Sequence, residues 1–216
     1  MTSASHTAAQ QALERLREGN RRFVDSVQAG QPLHGPTKPI ELGQPQNPFA
    51  IILGCSDARV PAEMVFDQGL GDLFVIRVAG NIVAPSQVGS VEFAASRFGT
   101  PLVVVLGHSG CGAIVATIEE LQQPASSAAS RNIHSIVNRV RPSVEGLLAT
   151  ELRHDMDKLV HHAVRANVRA SVNQLRHGSE LLEHLIQHEG LMVVGAEYSL
   201  DTGAVEFLDE AAFRPA

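Results

Sequence analysis

Three short apolar runs dominate the pattern of hydrophobic and polar positions along the chain. They read FAIILGC, DLFVIRVAG and PLVVVLGHS, and none of them alternates between apolar and polar positions. Such runs are typical of parallel strands that helices cover on both faces. Helical patterns separate them, notably SQVGSVEFAASRF. The sequence therefore predicts an α/β fold with a mostly parallel sheet of four or five strands and helices on both faces.

The two ends of the chain add different elements. Near the N-terminus, apolar residues recur at helical spacing between charged ones, which predicts an amphipathic helical arm of one or two helices. Near the C-terminus, LMVVGAEYSL and AVEFLDE are joined by the turn signal DTG, so the last strand is expected to be antiparallel. Between arm and sheet, AGQPLHGPTKPIELGQPQNP predicts an extended connector, and QQPASSAASR predicts a mobile polar loop later in the chain.

Length and charge narrow the class of protein. The chain has 216 residues and a formal net charge of -6, from 17 Lys and Arg against 23 Asp and Glu. This balance argues against nucleic-acid and anionic-membrane partners, because both require clustered positive charge. The start of the chain lacks the pattern of a signal peptide, and no apolar stretch approaches the length of a membrane span. We expect a cytoplasmic protein with a single domain over 1–216, comprising an arm and connector over 1–45 and an α/β core over 46–216.

Two strand ends carry side chains that can bind a metal ion or take part in catalysis. GCSDAR follows the first apolar run and contains Cys55, while GHSGCG follows the third run and contains His108 and Cys111. Because ligands bind outside the carboxyl ends of the strands in such sheets, these side chains are expected to meet. Two thiolates and one imidazole suit zinc, and three protein ligands leave a fourth position open, as in catalytic sites.

Two other interpretations of the cysteines stay open at this point. A cysteine after a strand is often a buried core residue. A redox pair is the second alternative, although such pairs usually occur close in sequence as Cys-x-x-Cys.

Five separated motifs resemble those of the β-class carbonic anhydrases. They are LREGNRRF, CSDARVPAE, GDLFVIRVAGN, GHSGCGAI and GAEYSLDTGAVEFL, in an order and spacing that match over roughly residues 12 to 208. The resemblance implies that Cys55, His108 and Cys111 bind zinc. It also implies an enzyme, a carbonate dehydratase, in which a zinc-bound hydroxide converts carbon dioxide reversibly to bicarbonate and a proton.

The resemblance assigns further roles around the metal. Two thiolates cancel the charge of zinc and leave a weak Lewis acid, and Asp57 and Arg59 match the dyad that orients the hydroxide in the family. Gln46 matches a glutamine whose amide orients the substrate, and Phe74 and Phe93 match positions of the pocket wall. In the family part of that wall comes from the partner subunit, so we expect a homodimer or a homotetramer.

Three questions remain open at the level of sequence. The alternative activities are hydrolysis of carbonyl sulfide or carbon disulfide and a non-catalytic zinc-binding or bicarbonate-binding module. In some family members the residue matching Asp57 closes the metal site at low pH. Those members typically have a Trp, Arg and Tyr trio that binds bicarbonate, and here Arg77 and Tyr198 match while Ile52 replaces the Trp. We expect an open site without this anion pocket.

Overall fold

The computed structural model describes residues 2–31, 45–123 and 130–208. Most of the predicted connector, residues 32–44, and the centre of the predicted polar loop, residues 124–129, lie outside the described residues.

Five strands form one sheet in the order β2-β1-β3-β4-β5. The first four strands run parallel, and β5 pairs antiparallel with β4. The predicted α/β fold and the antiparallel last strand are therefore confirmed. The strands are β1 Ala50–Gly54, β2 Leu73–Arg77, β3 Leu102–His108, β4 Met192–Tyr198 and β5 Val205–Leu208.

Helices connect and cover the strands in the described part of the chain. The predicted arm is one continuous helix, α1, rather than two. The segment HSIVNRVRPSVEGLL forms two helices because Pro142 lacks the N–H that a continuous helix needs there. The α-helices are α1 Thr2–Gln28, α2 Ala62–Val65, α3 Pro85–Phe98, α4 Gly112–Gln122, α5 Arg131–Val140, α6 Pro142–Leu148, α7 Met156–His177 and α8 Glu180–His184. Short 3-10 turns cover Ala79–Asn81 and Glu151–His154, and a π turn covers Leu185–Glu189.

Both faces of the sheet are buried along β1, β3 and β4, which explains why the sequences of these strands do not alternate. On one face, alternate strand residues such as Ile52 and Val104 pack against Leu16 and Phe23 of α1. The opposite face packs against α3, α7 and α8. None of the helices in the described ranges is long and apolar enough to cross a membrane.

Helix α7 approaches the sheet closely near its carboxyl edge. A Cβ atom added to Gly107 of β3 would lie 2.5 Å from the Val168 side chain, and one added to Gly195 of β4 would lie 2.7 Å from it. The two glycines therefore allow a packing distance that a larger residue would prevent. This contact fixes the position of α7 next to the ends of the central strands.

Candidate metal centre

The carboxyl edge of the sheet brings three predicted ligands together. Strand β1 ends at Gly54, so Cys55 is the first residue beyond it, and His108 is the last residue of the neighbouring strand β3. A turn through Gly110, whose φ is +61°, then leads to Cys111 immediately before α4. The carboxyl ends of neighbouring parallel strands meet at one edge of the sheet, so residues more than fifty positions apart in sequence share one site.

The geometry of these three side chains fits a zinc ion. Their ligand atoms all lie within 4.8 Å of one another, and the Sγ atoms of Cys55 and Cys111 are 3.9 Å apart. Tetrahedral zinc with Zn–S bonds of about 2.3 Å would place two sulfurs about 3.8 Å apart. The three residues are 5%, 0% and 1% exposed in chain order. Burial of two thiols and an imidazole in this arrangement is expected for metal ligands.

His108 presents one ring nitrogen to the site. Its Nδ1 lies 2.9 Å from the carbonyl oxygen of Ser109, which accepts a hydrogen bond from the Nδ1–H tautomer. Its Nε2 is buried and has no hydrogen-bond partner among the described residues. A buried nitrogen without a partner is costly, and a metal ion would satisfy it.

The two cysteines perturb each other in the metal-free chain. Their hydrogen bond lowers the pKa of Cys55 and raises the pKa of Cys111, because a single proton is shared between the two sulfurs. Burial lowers the pKa of His108, but the neighbouring Cys55 sulfur outweighs this effect and raises that pKa overall. A divalent cation would remove the repulsion between two thiolates at this distance.

Asp57 and Arg59 form the second part of the site. The guanidinium donates two hydrogen bonds to the carboxylate, at 3.0 and 2.8 Å, and the backbone N–H of Arg59 donates a third at 2.9 Å. These bonds hold the pKa of Asp57 well below its usual range. The Oδ2 atom of Asp57 lies 3.8 Å from Nε2 of His108, so the carboxylate adjoins the ligand cluster.

Arg77 fixes the backbone that carries Cys55 and Asp57. From the end of β2, its Nε donates to the carbonyl oxygen of Cys55 at 3.0 Å and its Nη2 to that of Asp57 at 2.6 Å. Tyr198 is buried, and its ring packs 6.4 Å from that of Phe23. The guanidinium that matches the anion-binding trio is thus already engaged by two carbonyl groups.

Comparisons with known proteins agree with this geometry. The family model described as carbonic anhydrase matches residues 50–205. The chain belongs to the carbonic anhydrase family. It is 40% identical to a carbonic anhydrase of Mycolicibacterium smegmatis over 200 residues, which cover 90% of this chain and 91% of the relative. It is 38% identical to carbonic anhydrase 2 of Mycobacterium tuberculosis over 202 residues, which cover 92% of each.

Solved structures place the chain in the β class of this family. The β-carbonic anhydrase CafA of Aspergillus fumigatus superposes with a TM-score of 0.69 at 25% identity, covering 91% of this chain and 89% of that one. A β-carbonic anhydrase of Coccomyxa in complex with acetazolamide gives the same TM-score and identity, with 88% and 83% covered.

The predicted pocket residues of this carbonic anhydrase do not belong to the apolar cluster that contains its metal-ligating cysteines. Gln46 is exposed and precedes β1 at the amino edge of the sheet. Strand β1 then extends about 17 Å, at roughly 3.3 Å per residue, before Cys55 is reached. Phe74 of β2 and Phe93 of α3 pack with their ring centroids 6.3 Å apart, and Phe93 is 54% exposed. Within the described chain, the apolar cluster around the cysteines instead contains side chains such as Ile82 and Ile114.

The structure adds neighbours of the metal site that the sequence reasoning missed. The backbone N–H of Gly80 donates to Sγ of Cys55 at 3.4 Å. Asn167 and Ser171 of α7 are buried and bond to the carbonyl groups of the turn that contains Gly80. The sequence does contain a signal for Asn167 and Ser171, because they are polar, lie four positions apart and so fall on the apolar face of their helix.

Proposed function

We propose that this chain catalyses the reversible hydration of carbon dioxide to bicarbonate and a proton, with zinc held by Cys55, His108 and Cys111. The observation that carries this proposal is the position of the Asp57 carboxylate, oriented by Arg59 and 3.8 Å from a ligand nitrogen. Membership of the carbonic anhydrase family supports the same reaction. A purely structural zinc site would use a fourth protein ligand, and no fourth one joins the cluster in the described residues.

The residues around the metal have separable roles. When bound, zinc lowers the pKa of a coordinated water to near neutrality and so supplies a nucleophile. Asp57 stays ionised because of its low pKa, so it accepts a hydrogen bond and directs the nucleophile toward the carbon atom. Arg59 and Arg77 hold Asp57 and its backbone in place. The oxygen of water becomes part of bicarbonate, and one proton leaves to the buffer.

The substrate pocket is proposed to involve a second subunit. Carbon dioxide has no net dipole and favours an apolar pocket with few hydrogen-bond donors. The roles of Gln46, Phe74 and Phe93 in substrate binding remain part of the proposal, and the location of Gln46 favours action in a neighbouring chain. Two apolar side chains near β2 and α3 are exposed, Leu70 at 68% and Phe93 at 54%. Such exposure is consistent with a homodimer or a homotetramer.

The protein is proposed to act in the cytoplasm. Its two cysteines are free, as the reducing conditions of that compartment favour.

Stopped-flow measurement of carbon dioxide hydration, on protein of known zinc content, tests the reaction. We expect activity proportional to bound zinc and its loss in Cys55→Ser together with the metal. A fully zinc-loaded protein without activity from pH 7 to 9 would contradict the proposal. Turnover rates measured separately with carbonyl sulfide and with carbon disulfide identify the preferred substrate. Faster turnover of either compound than of carbon dioxide would also contradict the proposal.

A further inference from the structure

The turn Ala79–Asn81 approaches the metal site in an unusual backbone conformation. Gly80 has a φ of +71° and Asn81 has a φ of +42°, so two successive residues occupy the left-handed region. Asn81 is only 2% exposed, and its Nδ2 has no partner among the described residues. A strained and incompletely satisfied turn persists only where its surroundings hold it, and such turns concentrate at functional sites.

This turn delivers a hydrogen bond to one metal ligand. The N–H of Gly80 points at Sγ of Cys55, with the two heavy atoms 3.4 Å apart. A Cβ atom at position 80 would lie 3.1 Å from Cβ of Ala113, in the first turn of α4, so the turn is also packed against the segment after Cys111. The N–H is therefore held between the backbone segments of both cysteines.

Helix α7 holds the turn from the other side. Nδ2 of Asn167 donates to the carbonyl oxygen of Gly80 at 2.8 Å, and Oγ of Ser171 donates to that of Asn81 at 3.1 Å. Both side chains are buried, at 2% and 5% exposure. They lie four residues apart and hence on one face of α7. Two consecutive carbonyl groups of the turn are thus fixed by one rigid helix.

We infer that Asn167 and Ser171 are positioning residues that hold the Gly80 N–H against the sulfur of Cys55 and so reduce electron donation from that thiolate to the metal. The inference rests on the proposed function for its catalytic consequence. A hydrogen bond to a ligating sulfur withdraws charge from it, and groups around the ligands tune a bound metal in this way. In a site with two thiolates, weaker donation from one of them leaves the metal a stronger Lewis acid.

Cobalt-substituted protein tests the inference without relying on activity. Ser171→Ala removes one bond with little change in volume, and Asn167→Ala removes the other. In both variants the sulfur-to-cobalt charge-transfer band is expected at longer wavelength, because a more electron-rich sulfur gives up an electron more easily. Asn173→Ala is the matched control, since Asn173 is exposed on the same helix.

The zinc forms of the same variants supply the catalytic readout. We expect about a 10-fold lower kcat/KM at pH 7 and a smaller loss at pH 9, because a weaker Lewis acid shifts the activity profile upward. Unchanged charge-transfer bands in both fully loaded variants, or an equal shift in Asn173→Ala, would overturn the inference. If the wild type were inactive but the band still shifted, the proposed function would fail while the role of the two residues would stand.

Discussion

The guanidinium of Arg59 and the carboxylate of Asp57 form a two-point contact, with hydrogen bonds of 3.0 and 2.8 Å to the two carboxylate oxygens. The backbone N–H of Arg59 adds a third bond at 2.9 Å. Only arginine offers this planar, two-pronged geometry. The contact fixes both the orientation and the charge of a carboxylate that adjoins the metal ligands.

Asp57→Asn is expected to keep zinc and lose activity. Its amide cannot accept the same hydrogen bonds, so orientation of the nucleophile is lost while the three ligands remain. We expect kcat/KM to fall by about 100-fold, measured by stopped-flow at equal zinc content. Arg59→Lys keeps the charge but not the two-point contact and should give a smaller loss. Unchanged kinetics in Asp57→Asn would contradict the role given to this residue.

Zinc binding to the metal-free protein is expected to release at least one proton per chain at pH 7. The pKa of Cys111 is raised by its hydrogen bond to Cys55, and the pKa of His108 is raised as well, so protons must leave before both can bind zinc. Affinity should therefore fall as the pH is lowered. Calorimetric titration in two buffers of different ionisation enthalpy measures the release, and a binding enthalpy independent of buffer would argue against the shared proton.

Much of the fold followed from the sequence because both faces of β1 and β3 are buried. Their unbroken apolar runs separate them clearly from helices and loops, and the parallel arrangement then places Cys55 and His108 at one edge. For Gln46, by contrast, a short distance along the chain does not indicate a short distance to the metal site. It lies only nine residues before Cys55, yet an extended strand separates the two.

The contacts of α7 could not be predicted in the same way. Asn167 bonds to Gly80 across 87 positions and Ser171 bonds to Asn81 across 90. These contacts depend on how closely α7 approaches the sheet, which Gly107 and Gly195 determine. A single sequence shows that such glycines exist, but it does not show which helix packs over them.

Glu197 gives a prediction about stability. It is buried at 7% exposure, and burial raises its pKa although His161 and Arg165 of α7 oppose the shift. The folded chain thus keeps a proton on this carboxyl group at pH values where the unfolded chain has lost it. The free energy of unfolding therefore declines as the pH rises above the usual pKa of glutamate. Glu197→Gln should remove that part of the decline and be at least as stable as the wild type at pH 7.

Chemical denaturation from pH 4.5 to 7.5 measures this effect. Glu145→Gln is the control, because Glu145 also pairs with an arginine, Arg141, but its side chain is 55% exposed. It should keep the wild-type slope of unfolding free energy against pH. A variant at position 197 with the same slope as the wild type would show that its carboxyl group is not perturbed.

Gln46 allows a test of the shared pocket. Suppose that Gln46 acts in the site of a neighbouring chain. A chain carrying Gln46→Ala then keeps its own metal ligands, but its site contains a glutamine only when the partner chain still has Gln46. A chain carrying Cys55→Ser cannot hold zinc but can donate that glutamine. Co-expression of the two variants with different affinity tags, followed by purification on both tags, yields mixed oligomers.

In a mixed dimer one site is complete when Gln46 acts across the interface, so activity should recover to about half of the wild type per chain, as two-fold symmetry requires. Each variant alone should have low activity, and sedimentation should show that both assemble. If Gln46 acts within its own chain, the mixed dimer has no complete site and stays as inactive as the Gln46→Ala protein. That result, or a monomer at micromolar concentration, would contradict the shared pocket.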